Sequence, residues 1–336
     1  MAEGLDKVVV SSRIRLARNV NGMPFPKKLS NDERVYSVLL KGIKDAIGDT
    51  FEYEYYEMRR MNEVDRMALL EKHLISPDLV RNIENGSVII SRDRTLSIMV
   101  NEEDHVRAQC MLEGMELRSA YEKISDIDDR LAENLDIAFD DKLGYLTSCP
   151  SNLGTGMRAS VMMFLPALTM TNSMNSVINT AQKLGLTARG IYGEGSNADG
   201  YMYQISNEIS LGISEEDILR RVETFALKVA DNEMKIRDVI LKEQGAGLID
   251  KITRAYGILT NAYMMTSREC MGNISLVKLG VSYGIIKSTD MKTLNRLTES
   301  IGSAEIIKRS GRSLSALERD IERAKTVRNA ILRIDQ

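Results

Sequence analysis

Up to residue 242 the sequence interleaves short strand-like runs with helical stretches in no regular strand–helix–strand rhythm, and beyond that point the pattern is helical almost throughout. Parallel strands need a crossover between them, so this ordering points to an α+β fold: an antiparallel sheet flanked by helices, followed by a small all-helical domain. Residues 8–19 read as a short apolar strand carrying Arg13, Arg15 and Arg18, with Pro24 and Pro26 ending it. Helical spacing covers residues 31–40 and 62–74, and the Ser76-Pro77 pair is expected to stop the second helix. Two β-rich runs, 87–90 and 96–100, flank a polar turn as a hairpin that delivers Asn101-Glu102-Glu103-Asp104-His105 to a strand end. Residues 121–139 and 171–184 are predicted helical, 158–165 a buried strand, and 189–200 a glycine-rich stretch. A charged helix over about 214–242 leads to Gln244-Gly245-Ala246-Gly247, predicted to be a linker. It divides the chain into a larger domain, 1–245, and a helical one, 246–336. In the tail, Ser315 and Glu318 have capping-box spacing, and Leu317, Ile321, Ala324, Val327 and Ile331 mark one apolar face.

Composition narrows the function classes. At 43% hydrophobic and 28% charged residues, the 336-residue chain has the balance of a folded globular protein. A net charge of -3 argues against the clustered basic surface that direct nucleic-acid binding requires. The longest apolar run, 159–170, is interrupted by Ser160, Pro166 and Thr169. It falls far short of the roughly 20 residues a membrane span needs. The first residues also lack the apolar stretch of a signal peptide, so a cytoplasmic protein with no membrane role is expected. Cys110, Cys149 and Cys270 form no paired framework or metal-ligand spacing, which fits a reducing compartment.

Neither the Gly-x-x-x-x-Gly-Lys phosphate loop nor the Asp-Phe-Gly and His-Arg-Asp set of ordinary protein kinases occurs, so any phosphate site must be built otherwise. Five arginines stand beside turns or glycines: Arg13, Arg15, Arg107, Arg158 and Arg189. Guanidinium forks match phosphate oxygens bidentately, and phosphoryl transfer depends mainly on positioning and charge neutralisation, so such a set can form a cage around a triphosphate. Taken singly, each is a solvated surface arginine more often than not. Glu102, Glu103 and Glu194 supply carboxylates, although an acidic turn on its own is also ordinary surface. A guanidinium has a pKa of roughly 12.5–13.8, so stripping its proton before attack at neutral pH would cost about 7–9 kcal/mol. A carboxylate held against the group avoids that cost by orienting it and taking the proton as the N–P bond forms. Cys149, in Ser148-Cys149-Pro150, can act as a thiolate beside arginines or as a small core residue. His73 and His105 are too few for a metal site; His73 can stack on a base or simply close its helix.

Together, Ser11-Ser12-Arg13-Ile14-Arg15, the 101–105 cluster with Arg107, the 149–155 stretch with Arg158, Arg189-Gly190 with Glu194, and Ile205-Ser206-Asn207 resemble the guanidino kinases in order and spacing over about residues 8–242. With the helical tail included, the sequence resembles more closely the McsB family of bacterial protein-arginine kinases. That resemblance implies an antiparallel sheet flanked by helices and an activity that moves the γ-phosphoryl group of ATP to arginine guanidinium groups in proteins. Arg13, Arg15, Arg107, Arg158 and Arg189 would hold the phosphates. Ser11, Ser12, Ile14, Ala159, Ser160, Val161, Met162, Gly190, Ile191, Tyr192, Gly193 and Glu194 would line the nucleotide, with His73 near the adenine. Glu103 and Glu194 would grip the guanidinium, Cys149 would sit beside it, and Glu102 would help organise the magnesium shell. Magnesium would be carried by ATP, with no direct protein ligand.

In the tail, Arg319, Asp320, Ile321, Glu322, Arg323 and Ala324 resemble the phosphoarginine-reading motif of the same family. On a helix Arg319 and Arg323 would share a face and offer two forks to one phosphate. Asn197 departs from the family, standing where many relatives carry a glutamate, and the ten residues ahead of Ser11 suggest different amino-terminal packing. The resemblance further implies an McsA-type activator, delivery of marked proteins to the ClpC–ClpP protease, DNA-binding repressors among the substrates, and a homodimer through the tail. Two alternatives remain open on the residues: a phosphagen kinase acting on a free guanidino compound, and a catalytically inactive adaptor. The first carries a helical domain ahead of its first arginine motif, and the second would have no reason to keep the carboxylates, Cys149 and all five arginines.

Overall fold

Alternation along β1 (Val9–Arg18) sets the geometry of the whole molecule. Ser12, Ile14 and Leu16 are buried on one face, while Ser11, Arg13 and Arg15 lie on the other and are only half-buried. In this computed structural model, which describes residues 4–26, 33–190 and 199–332, β1 sits at the middle of an eight-stranded sheet. The other strands are β2 (Tyr53–Glu57), β3 (Ser87–Ser91), β4 (Leu96–Val100), β5 (Val106–Glu113), β8 (Met157–Phe164), β9 (Leu186–Gly190) and β10 (Met202–Asn207). Their order is β2-β3-β4-β5-β1-β8-β10-β9, and every ladder is antiparallel. A small ribbon, β6 (Phe139–Asp140) and β7 (Gly144–Tyr145), stands apart.

The apolar face of the sheet is covered by helices. In α4 (Leu117–Asn134) the buried residues Leu117, Ala120, Ile124, Ile127 and Leu131 recur at helical spacing. They join Ile14 and Leu16 of β1 and Leu39 and Ile43 of α1 (Glu33–Ile47) in the main core. Short helices α2 (Glu63–Glu71) and α3 (Pro77–Arg81) cover the β2–β4 end. α5 (Pro166–Met170) and α6 (Met174–Lys183) connect β8 to β9. The tail consists of α8 (Ser267–Ser282), α9 (Met291–Ser300), α10 (Ser303–Ser310) and α11 (Ala316–Leu332). Among the described residues, no helix is long and apolar enough to cross a membrane.

Three sequence expectations change. Residues 244–247 are not an extended linker, because α7 (Glu215–Asn261) runs through them with one kink at Gln244 (φ -123°, ψ 18°). Ile240 before the kink and Leu248 and Ile252 after it belong to one core, which also takes in Phe164 and Met202 from the sheet. Ser76-Pro77 starts a helix: Ser76 accepts the Leu79 N–H and Pro77 occupies the first turn of α3, where a missing N–H costs nothing. In α11 the face is rotated from the predicted one. Ala324, Val327 and Ile331 are buried, but Leu317 is 58% exposed. The capping box does form, with Glu318 N–H donating to Ser315 Oγ at 3.3 Å and Ser315 N–H to Glu318 Oε2 at 2.8 Å.

A buried ion pair ties the tail to the sheet. Arg237 Nε contacts Glu233 Oε1 at 2.7 Å with both side chains out of solvent. Arg237 also donates to the Phe164 carbonyl at the end of β8, Glu233 accepts the Ala167 and Leu168 N–H groups at the start of α5, and Tyr283 at the end of α8 donates to the Arg237 carbonyl.

Candidate active site

The polar sheet face is organised in cross-strand rungs. Arg107 lies opposite Met99 and Ala17; the next rung runs Ser97–Gln109–Arg15–Arg158, the next Met111–Arg13–Ser160–Ser206, and the last Glu113–Ser11–Met162–Gln204–Arg189. Pairing of separate strands thus gathers the five arginines that lie far apart in sequence. Of the expected nucleotide set, Ser11, Ser160 and Met162 share this face. Ser12, Ile14, Ala159 and Val161 do not: Ile14, Ala159 and Val161 are in the core beneath, and Ser12 Oγ donates to the Gly114 carbonyl. Ile191, Tyr192, Gly193, Glu194 and Asn197 lie outside the described residues.

The arginines crowd one another, and Glu102, paired with Arg107, only partly offsets their mutual repulsion. Burial, then Arg107 and Arg158, pushes Arg13 down to about 10. Burial, then Arg13, Arg107 and Arg158, holds Arg15 well below its ordinary value. Arg158 is lowered by burial, then by Arg189 and Arg107. The Nε atoms of Arg15 and Arg158 are buried and make no hydrogen bond. Buried donors left unmet are costly, so a cage of this kind fits a multiply charged anion such as the phosphates of ATP. Around it, Arg158 Nη2 donates to Ser206 Oγ at 2.9 Å and Arg189 Nε to Thr187 Oγ1 at 3.1 Å.

At one end of the cage stands the acidic turn. Glu102 is wholly buried, and Arg107 Nη1 reaches both its oxygens, at 2.7 and 2.8 Å. The Ser76 hydroxyl and the Glu103 N–H also donate to it. Burial alone would raise the Glu102 pKa; Arg107 and these hydrogen bonds outweigh it and hold the carboxyl below its usual value. Both its oxygens accept from protein donors, and through them Glu102 ties Arg107 to the acidic turn. Asp104 Oδ1 accepts the Asn19 amide at 2.6 Å and the Ser148 N–H at 2.7 Å, while Ser148 Oγ donates to the Glu103 carbonyl at 2.8 Å. These bonds pin the loop of half-buried Cys149 against the turn that carries half-buried Glu103. Cys149 Sγ lies 3.0 Å from Ser151 Oγ.

A cleft of about 790 Å³ opens beside the cage, lined by Arg13, Arg15, His73, Arg107 and Gln109 and, across from them, by Arg268, Met271, Thr298 and Glu299 of the tail. That size suits a small-molecule ligand. His73 takes a left-handed backbone (φ 57°), and its carbonyl accepts Gln109 Nε2 at 2.7 Å. Burial, then Arg13, pushes it down to about 4, so it is neutral at physiological pH and suited to an uncharged base. The tail is held here by Glu71, whose two oxygens accept the Ala304 and Glu305 N–H groups at the start of α10, at 3.0 and 2.9 Å. Gln109 was within reach of sequence reasoning, since period-two alternation from Arg107 places it on the same face. Asp104 and Ser148 stand in stretches the sequence marks, but their bond to each other and the tail wall carry no local signal.

The motif in α11 divides differently from its expected form. Arg323 is 1% exposed; Nε donates to the Ile301 carbonyl at 2.8 Å, and Nη1 to the Met265 carbonyl at 2.9 Å and to Asp320. Ala324 is wholly buried. The Nε and Nη1 donors of Arg323 are thus taken up within the tail. Arg319, Asp320, Ile321 and Glu322 are half-buried, and Arg319 Nη1 donates to the Leu314 carbonyl at 3.1 Å.

Residues 34–236 match the family model of the ATP:guanido phosphotransferase C-terminal catalytic domain, and residues 245–336 that of the protein-arginine kinase McsB C-terminal domain. The chain is 46% identical to the protein-arginine kinase of Caldanaerobacter subterraneus, over 95% of this chain and 96% of that protein. It is 45% identical to that of Clostridium acetobutylicum, over 96% and 95%. Among solved structures, a lombricine kinase superposes with a TM-score of 0.59 at 27% identity, covering 69% of this chain and 68% of that one.

Proposed function

The chain belongs to the ATP:guanido phosphotransferase family and, within it, to the protein-arginine kinases, and on that premise we propose how its residues divide the work of moving the γ-phosphoryl group of ATP to arginine in proteins. The observation that carries the assignment is the cage itself: arginines from four strands on one sheet face, with buried donors unmet, beside a turn that presents Glu103 and Cys149. Arg13, Arg15, Arg107, Arg158 and Arg189 hold the phosphate oxygens and neutralise charge as it shifts toward the leaving ADP. Glu103 orients the guanidinium and takes the proton as its nitrogen bonds to the γ-phosphorus and the bridging P–O bond breaks. Glu194 is assigned the opposite edge of the guanidinium by resemblance. Glu102 and Asp104 are positioning residues, the first for Arg107 and the second for the Cys149 loop. Magnesium bound with ATP would add charge neutralisation at the phosphates. No group of three or more His, Cys, Asp or Glu side chains suited to a metal ion forms among the described residues.

The assignment of residues 1–245 to catalysis and 246–336 to phosphoarginine recognition and dimerisation belongs to the same proposal. So do a cytoplasmic setting, an McsA-type activator and delivery of marked proteins to ClpC–ClpP. Phosphorylation turns a cationic arginine into a net negative group, so a DNA-binding repressor would lose phosphate contacts and gain repulsion. That supports repressors as substrates. The test is incubation with γ-labelled ATP and either an unfolded protein or free arginine. Acid-labile label on the protein is expected; label on free arginine alone would make the enzyme a phosphagen kinase, and no transfer would make it an adaptor.

A further inference from the structure

Beyond the arginine rungs the sheet face continues into a second cavity of about 760 Å³, whose far wall is the tail. Met162, Met202 and Gln204 line it from the sheet, and Lys278, Met291 and Asn295 from α8 and α9. It shares Arg13, His73, Thr298 and Glu299 with the first cleft, so the two form one trough that runs from Arg107 to the tail. From Arg15 to Ser11 along β1 is four residues, about 13 Å at roughly 3.3 Å per residue. That distance suits a ribose and a base extending from phosphates held at Arg15 and Arg158.

Two polar groups in this second cavity are underused. Lys278 is 2% exposed, and its Nζ donates to Thr298 Oγ1 at 3.1 Å. Its ammonium makes no ion pair among the described residues, and burial pushes it down to about 7 despite Glu299. Asn295 Oδ1 is buried and accepts no hydrogen bond. A buried donor and a buried acceptor, each with capacity unmet, line the same slot as four methionines, Met111, Met162, Met202 and Met291, whose polarisable sulfurs suit a flat aromatic ring.

We propose that Lys278 and Asn295 of the helical tail read the adenine of ATP, so that the tail completes the nucleotide site. Asn295 Oδ1 accepts from the exocyclic amino group and Lys278 donates to a ring nitrogen, a donor–acceptor pattern that guanine reverses at its 6-position. Met162 and Met291 pack against the ring. The inference rests on the reading of the cleft as an ATP site, and it makes the tail a direct contributor to nucleotide specificity.

The test is calorimetry on the full chain with ATP, GTP and inorganic tripolyphosphate, for the wild type, Lys278→Met and Asn295→Ala. Tripolyphosphate reports the arginine cage alone and serves as the folding control in each variant. The expected result is that the wild type binds ATP about tenfold or more tighter than GTP or tripolyphosphate. Both variants should lose that preference and keep their tripolyphosphate affinity. An ATP preference untouched in both variants overturns this inference and leaves the nucleotide reading standing. A wild type that binds neither ATP nor tripolyphosphate overturns both.

Discussion

The arginines of the sheet face and the more deeply buried arginines of α7 and α11 do opposite work. Arg15 and Arg158 carry buried Nε atoms that meet nothing, and they are pushed down by burial and by their arginine neighbours. Arg237 and Arg323, each 1% exposed, have forks filled by carbonyls and a carboxylate. Burial alone therefore does not identify a functional arginine. The useful distinction is whether its donors are satisfied within the protein or left for a ligand.

The largest expected effect tests the unsatisfied group. Arg15→Ala should lower phosphoryl transfer by roughly 10³-fold or more, as for other arginines that meet transition-state charge, while the melting temperature holds or rises because like-charge repulsion is relieved. Loss of both activity and stability would place Arg15 with the structural arginines. Glu103→Gln should cut turnover by roughly 10²–10⁴-fold and leave ATP affinity in calorimetry intact, since the carboxylate acts on the guanidinium. Parallel loss of ATP binding would move Glu103 to the nucleotide.

For the satisfied group the order reverses. Arg237→Met should cost about 3–5 kcal/mol in denaturant unfolding by leaving Glu233 buried and unpaired, with ATP affinity preserved in the folded fraction. Within α11, Arg323→Ala should lower the melting temperature, whereas Arg319→Ala should abolish binding of free phosphoarginine with little change in melting; equal effects from the two would erase the division drawn here. The smallest effect concerns His73. Its folded pKa of about 4 lies below the ordinary 6.5, so the stability it confers is complete above pH 6.5 and is lost as pH falls toward 4. His73→Gln should flatten the melting-temperature profile in that window, and an unchanged profile would mean the imidazole is not buried neutral.

Much of this was legible in the residues themselves. Runs of β-favouring and apolar residues placed strands at 87–90, 96–100 and 158–165, and the absence of strand–helix–strand rhythm pointed to antiparallel pairing. The motifs holding Arg13, Arg107, Arg158 and Arg189 carried the family likeness, and Ser315 with Glu318 marked a helix start, because such signals depend on neighbours a few positions apart. The stretch Gln244-Gly245-Ala246-Gly247 was misread for the same reason. Two glycines disfavour a helix by about 1 kcal/mol each, but burying Ile240 on one side and Leu248 and Ile252 on the other overrides that local preference.

By itself, then, the sequence determined which residue types could do the chemistry and in what order they come along the chain, since period and motif are local properties. Only the tertiary structure decided which of them face one another. Strand register placed Arg15 across from Arg158, Ser148's bonds to Asp104 and to the Glu103 carbonyl held the Cys149 loop against the acidic turn, and packing turned Arg323 inward while Arg319 stayed near the surface. Packing also laid α8 and α9 against the cleft beside the arginine cage. Partners separated by tens or hundreds of residues leave no trace in local spacing, and what joins them is the burial of a shared apolar core and the satisfaction of the polar groups trapped within it.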